Sequence, residues 1–372
     1  MKAGDYQSLA QQPIRLERNR VWRTYSGGKL IDAFQGNERQ EDGEMPEEWV
    51  ASVVQATNVG REHVRNEGLS EVRLPDGSRV TLKEAIASDP CAYLGEAHVQ
   101  QYGSHPAVLV KLLDAGERLT IQVHPDREYA MTKFQSRFGK TEAWYVIGGR
   151  ELDGDAPYVL FGFKPGVTPE KWKALFDKQD IAGMLDALHR IPVREGDVFL
   201  VEGGVPHAIG SGCFLIEIQE PTDYTLRTER VTPRGNPVPD QACHQGLGFD
   251  AMLECFHYEA HTLEEIKARW HIAPDLVHET TGGSLTSLIK ESDTDRFRMD
   301  RLTVVSDYTM EPSGTFAIAI VVEGTGVVRW ASGELGVARG DTFFLPAALP
   351  ALNWKCADGE PLQVILCYPP RS

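Results

Sequence analysis

Two stretches of this chain repeat one another in outline. Gly196-Asp197-Val198-Phe199-Leu200-Val201 is followed by Glu202-Gly203-Gly204-Val205-Pro206-His207, and near the C-terminus Gly340-Asp341-Thr342-Phe343-Phe344-Leu345 is followed by Pro346-Ala347-Ala348-Leu349-Pro350-Ala351. Each reads as a Gly-Asp turn, an apolar strand, a tight turn, then Pro and a final residue. A repeated strand-turn unit points to two related β-domains. In this alignment His207 falls opposite Ala351, so the second domain lacks the histidine. A stretch rich in Pro, Gly and Asn, Pro233 to Gln245, supplies a linker and divides the chain into residues 1–235 and 236–372.

The rest of the chain agrees with an all-β reading. Short apolar stretches bounded by Gly, Pro and Asp recur at Leu119 to Val123, Ala143 to Ile147, Val198 to Val201, Phe214 to Ile218, Phe316 to Val322 and Thr342 to Leu345. Helical patterns are few. The clearest spans Pro169 to His189, with Thr168 as its cap and Pro169 in its first position, and forms a helical insert around residues 168–190. Two others are expected at Pro125 to Phe138 and Leu263 to Trp270. The first ten or so residues read as a poorly ordered tail. The expected fold is all-β with minor helices, built as two β-sandwich or jelly-roll domains.

With 372 residues, 41% hydrophobic, the chain can build two ordinary cores. A net charge of −16 argues against a nucleic-acid surface. It leaves room for a small anionic ligand, which needs only a few local cations. No run approaches the roughly 20 apolar residues of a membrane span, and the start lacks the apolar segment of a signal peptide. Six cysteines without a C-x-x-C pair suggest a reduced, cytoplasmic protein whose cysteines are mostly packing residues.

Chemistry concentrates in Leu119 to Asp126. Strand alternation puts Gln122 and His124 on one face. An amide oxygen beside an imidazole makes half of a divalent-metal site; the alternative is a satisfied polar pair on an edge strand. Glu142 opens the stretch Glu142 to Ile147, and His207 closes the Gly196 unit. Together the four form a mixed nitrogen and oxygen set suited to zinc, manganese or iron(II). Taken singly, Glu142 could be a solvated charge and His207 an exposed turn residue.

The motifs QVHPD, GKTEAWYVI, GGVPHAI and EIQEPTDYTLR occur in this order. They resemble type I phosphomannose isomerase, a family of the cupin superfamily, over roughly Arg20 to Arg234. The C-terminal region fits that family's second, metal-free cupin domain. The resemblance implies an aldose–ketose isomerase that interconverts mannose 6-phosphate and fructose 6-phosphate through a cis-enediol. It implies one divalent metal ion per chain, zinc first among the choices, held by Gln122, His124, Glu142 and His207. Lys140 matches a lysine that lines the family's site, and Glu217, Asp223 and Arg227 match a stretch holding its catalytic candidates. Thr120 stands where the family often has a phosphate-holding serine. Arg234 in VTPR resembles the lysine of an L-T-P-K segment, one residue further along.

Moving a proton between adjacent carbons requires a base and a means of stabilising charge on oxygen. Glu217 is the candidate base, or else a strand residue paired to a cation. Arg227 would stabilise the enediolate, and Lys140 would relay protons or anchor hydroxyls. Phosphate would be held by Thr120, Arg230 and Arg234, since arginine forks match its oxygens; Arg230 has the alternative of a solvated loop cation. The expected partner is a small sugar phosphate. Isomerisation of another sugar or sugar phosphate, a cupin iron(II) dioxygenase and a non-catalytic sugar-binding cupin are the competing functions.

Overall fold

The computed structural model describes residues 9–74, 76–357 and 359–371. In chain order the strands are β1 Ile14–Arg15, β2 Arg20–Val21, β3 Glu47–Val50, β4 Glu71–Arg73, β5 Arg79–Thr81, β6 Leu109–Asp114, β7 Gln122–Val123 and β8 Glu142–Gly149. They continue with β9 Tyr158–Phe163, β10 Leu188–Pro192, β11 Val198–Val201, β12 His207–Ile209, β13 Cys213–Gln219 and β14 Leu226–Arg227. The last ten are β15 Asp275–Thr280, β16 Gly283–Ile289, β17 Arg298–Val304, β18 Asp307–Met310, β19 Ala317–Glu323, β20 Thr325–Trp330, β21 Gly333–Ala338, β22 Thr342–Leu345, β23 Leu352–Cys356 and β24 Leu362–Tyr368.

Antiparallel pairing sorts these strands into two sandwiches. In the first, a sheet ordered β11-β8-β13-β6-β3-β2 faces one ordered β10-β9-β12-β7-β14. In the second, β22-β19-β24-β17-β16-β15, made seven-stranded by β1 beside β22, faces β21-β20-β23-β18. Apart from β14, which has no counterpart, the two orders correspond, so the repeat seen in the sequence is a repeat of topology. Gly196 and Gly340, which open the matching turns, have φ of 94° and 89°, a region that favours glycine. By facing, the inward position of β23 that answers His207 is Leu352, next to the Ala351 expected from sequence. Neither residue can ligate a metal.

Side-chain alternation explains how the layers pack. One face of the seven-stranded sheet (Ile318, Ile320, Phe344, Ile365) shares a core with the six-stranded sheet of the first sandwich. The other face (Phe343, Val364, Leu366) meets Val328, Val337 and Trp354 inside the second sandwich. A third cluster joins the five-stranded sheet to Trp172, Phe176 and Met252 of the helices outside it and to Phe256 just after them.

Several expectations are adjusted. The helix expected over Pro169–His189 is two helices, Pro169–Lys178 and Ile181–Asp186. Gln179 turns left-handed (φ 49°), and the Asp180 side chain caps the second helix by accepting from Gly183 N. Leu188 and His189 are taken by strand pairing with Phe163 and Phe161, which overrides local helical pattern. Thr168 caps the first helix as expected. The expected Pro125–Phe138 helix is Arg127–Phe134, begun by the Asp126 side chain on Tyr129 N. Leu263–Trp270 is helical as expected.

The expected tail falls on residues 1–8, outside the described residues, but Leu9 and Ala10 are buried. Residues beyond 235 remain with the first sandwich. Ile272 N donates to Val198 O at 2.9 Å, and Ile266 and Trp270 enter the shared core. This packing favours a division between Ile272 and Asp275 over one at 235/236.

Candidate metal centre and its cleft

Strand register brings the ligand candidates together. Gln122 of β7 lies opposite His207 of β12 on one side and Arg227 of β14 on the other. Glu142 opens β8 in the facing sheet, opposite Val201 and Gln219. His124 follows β7, where its carbonyl accepts from Gly204 N at 2.8 Å and so ties the two ligand-bearing loops.

All four side chains are buried, with exposures of 7% for Gln122, 1% for His124 and 0% for Glu142 and His207. Ligand atoms of His124, Glu142 and His207 lie within 4.8 Å of one another. His124 Nε2 is 3.1 Å from Glu142 Oε2, His207 Nε2 is 3.5 Å from Glu142 Oε1, and the Gln122 amide is 3.2 Å from His207 Nε2. Each ring has its other nitrogen against a carbonyl: His124 Nδ1 at 2.8 Å from Tyr224 O, and His207 Nδ1 at 2.9 Å from Val205 O. Nδ1 therefore carries the proton, and both Nε2 lone pairs point at a carboxylate. Buried lone pairs facing a buried carboxylate need a cation, and this donor set fits zinc or a similar divalent ion.

Charge states agree. Burial pushes both imidazoles down, His124 most strongly and further through Lys140. Burial opposes the charge on Glu142, yet the neighbouring Lys140 ammonium holds the carboxyl well below its usual range. Lys140 itself is lowered by burial, partly offset by Glu142. Its ammonium lies 3.2 Å from Glu142 Oε2. Trp144 Nε1 donates to Glu142 Oε1 at 3.0 Å and fixes the carboxylate.

The centre lies at the side of a narrow cleft lined by Gln122, Thr120, Lys140, Glu217, Asp223 and Arg227, among others. The cleft opens into a larger cavity of about 690 Å³ that shares Arg23, Asp223 and Arg227 with it. Glu217, 3% exposed, accepts from Lys111 Nζ at 2.9 Å. Burial and Glu142 push its carboxyl up, partly offset by Lys111 and Lys140. Glu217 thus both pairs with a cation and faces the cleft. Arg227 donates only to carbonyls, those of Ala242 at 2.8 Å and Thr225 at 3.3 Å, so its charge meets no carboxylate among the described residues.

Asp223 is a supporting residue here: it accepts from Arg23 at 3.0 and 3.2 Å and from Thr57 N at 2.8 Å. Arg234 is about half exposed at the rim, 3.8 Å from Glu117, beside the lining residues Thr232 and Pro233. Arg230 is not brought to the cleft. Its guanidinium holds Asp240 at 2.6 Å and lies over the Phe249 ring.

Sequence reasoning missed the network behind the cleft. Arg23 pairs with Glu47 at 3.0 Å and stacks on Trp49, and Tyr25 donates to Glu47 at 2.7 Å. Lys111 had a visible signal, a charge inside the wholly buried strand Leu109–Asp114.

Comparisons with known proteins agree with this geometry. Residues 65–141 match the family described as phosphomannose isomerase type I, catalytic domain. A mannose-6-phosphate isomerase of Streptococcus mutans is 34% identical over 299 residues, covering 79% of this chain and 85% of that protein. The crystal structure of the mannose 6-phosphate isomerase from Bacillus subtilis covers 96% of this chain and all of that one, with a TM-score of 0.73 at 22% identity. A zinc-bound mannose 6-phosphate isomerase structure gives a TM-score of 0.72 at 16% identity, covering 96% of this chain and all of that one. The two structural likenesses establish the fold, two cupin-type sandwiches. The Streptococcus relative, together with the match to the family's catalytic domain, shows that the chain belongs to the type I phosphomannose isomerases.

Proposed function

We propose that this protein interconverts mannose 6-phosphate and fructose 6-phosphate with one zinc ion held by Gln122, His124, Glu142 and His207. The observation that carries this reading is the convergence of those four buried side chains beside a cleft that also presents Lys140, Glu217 and Arg227. The bound ion supplies Lewis acidity, which lowers the cost of negative charge on the sugar oxygens.

The chain's own residues do the rest. Glu217, raised by burial, is the base that takes the proton from carbon and returns it to the neighbouring carbon. Arg227, without a carboxylate partner, stabilises the oxygen on which charge develops. Lys140 anchors a sugar hydroxyl or relays its proton. Asp223 positions Arg23 at the cleft wall. Thr120 on the wall and Arg234 at the rim are assigned to the phosphate, while the engagement of Arg230 with Asp240 speaks against that role for it.

No helix among the described residues is long and apolar enough to cross a membrane. Free cysteines support a reduced cytoplasmic setting, and the net charge of −16 supports a small-molecule partner over nucleic acid. A coupled assay under nitrogen, with elemental analysis of the same sample, tests the reading. Turnover of mannose 6-phosphate, about one zinc per chain, and activity lost to chelators and restored by zinc are expected. Two ions per chain, or full activity after exhaustive chelation, would sink it.

A further inference from the structure

The second sandwich has its own cavity at the place that the metal centre occupies in the first. Ladder register makes the comparison residue by residue. Glu142 pairs with Val201, and the equivalent pair is Ala317 with Leu345. Gln122 pairs with His207, and Met310 with Leu352. Lys111 pairs with Glu217, and Asp300 with Leu366. Three ligand positions have thus become Ala317, Met310 and Leu352, while the buried lysine has become a carboxylate. Ala317, Met310, Leu352 and Asp300 all line one cavity of about 460 Å³, within the usual range for small-molecule sites.

Asp300 and Glu311 are the acids in the lining of this cavity, and His278, Thr309, Ser313 and Thr315 add further polar groups. Beside Asp300 stand Tyr308 and Tyr368, 8% and 9% exposed, whose hydroxyls find no hydrogen-bond partner among the described residues. Arg298 lies over the Tyr368 ring at 4.7 Å and 3.9 Å from Glu291. Its charge is therefore shared with an acid. The Ser287 side chain takes up part of the accepting capacity of Asp300, and a shielded phenol without a protein partner gains from a ligand's own hydroxyls. A carboxylate accepts from two adjacent hydroxyls, and each phenol donates one more bond. The apolar part of the wall, Leu285, Leu302, Leu349 and Leu352 among it, suits the C–H face of a ring. Asp300 repels an anion at this range, in contrast to the cation-lined first cleft.

We propose that this cavity is a second binding site, for a neutral monosaccharide or polyol. It lies outside the catalytic cleft and does not depend on the assignment of the reaction.

Isothermal titration of the zinc-loaded protein with free mannose, fructose and mannitol tests it, with mannose 6-phosphate turnover measured on every variant. At least one of the three probes is expected to bind. Asp300→Asn and Met310→Trp, which remove the acceptor charge and fill the cavity, should each weaken that binding about ten- to a hundredfold and leave turnover unchanged. Tyr368→Phe, which deletes only a hydroxyl, gives the same reading if either variant fails to fold. No binding by any probe, or binding untouched by these changes, overturns the proposal. So does tighter binding of a sugar phosphate than of the neutral sugar at a site these changes abolish.

Discussion

The ammonium of Lys140 lies 2.9 Å from Nε2 of His124, the nitrogen that the metal set requires. A lysine cation and a divalent ion therefore compete for one lone pair, and their mutual repulsion in a buried site is large. Unit charges about 4 Å apart interact by roughly 4 kcal/mol at an effective dielectric near 20. Lys140→Met should then bind zinc at least about tenfold more tightly in competition with a chelator, while kcat falls about a hundredfold. Metal lost from this variant would show instead that Lys140 supports the ligand set.

Base and ligand should separate cleanly. Glu217→Gln is expected to lower kcat by about two to four powers of ten with zinc content unchanged. His207→Ala should lose zinc and activity together. Near wild-type turnover by Glu217→Gln would move the proton transfer to another group, Lys140 through water being the nearest.

The phosphate assignment rests on position at the rim. Arg234→Ala should lower kcat/KM for the phosphorylated sugar about ten- to a hundredfold, the worth of one charge-assisted hydrogen bond, and barely change turnover of the free sugar. Arg230→Ala, whose side chain serves Asp240, should leave both within about twofold. Equal losses for both sugars in the Arg234 variant would remove that residue from phosphate binding.

Acid sensitivity should trace to Glu47. Burial raises its carboxyl, but Arg23 and Lys111 outweigh burial and hold it well below the usual range. A depressed carboxylate contributes stability above its unfolded value of about 4.3 and loses it as pH falls below that value. Urea unfolding midpoints should accordingly drop as pH goes from about 5 toward 3. Glu47→Gln should lose about 3 kcal/mol or more at neutral pH, because Arg23 and Lys111 stay buried with less charge to meet them. The variant's midpoint should also respond less to acid. An unchanged acid profile would place the titrating group elsewhere.

How much of this was legible follows from the range of each constraint. Gln122 and His124 declare themselves because strand alternation is local. The doubled Gly-Asp turn declared the repeat because only glycine suits the φ at Gly196 and Gly340. Arg23 and Asp223, by contrast, meet across 200 positions of chain, and no local pattern announces such a pair. Length of helix was misjudged at Gln179 because apolar spacing runs on through a residue that turns left-handed. The packing of residues 240–272 on the first sandwich escaped notice for a related reason. A Pro- and Gly-rich stretch marks a change of direction, and whether the chain then leaves or returns is decided by what it can bury.

β1 adds an edge to the seven-stranded sheet of the second sandwich, Ile14 opposite Phe344 and Arg15 opposite Phe343. This strand thus leaves the ribosome long before the β22 with which it pairs, and waits for it. Such a long closure is slow, since the entropy of joining distant segments is spent before the contact rewards it. During that wait Ile14 and its neighbours are uncovered, and the nascent chain needs shelter from other chains. A piece ending at residue 235 would strand β1 without a sheet and strip Met252, Phe256 and Trp270 from the first core. The two sandwiches are therefore copies of one architecture that have lost the freedom to live apart.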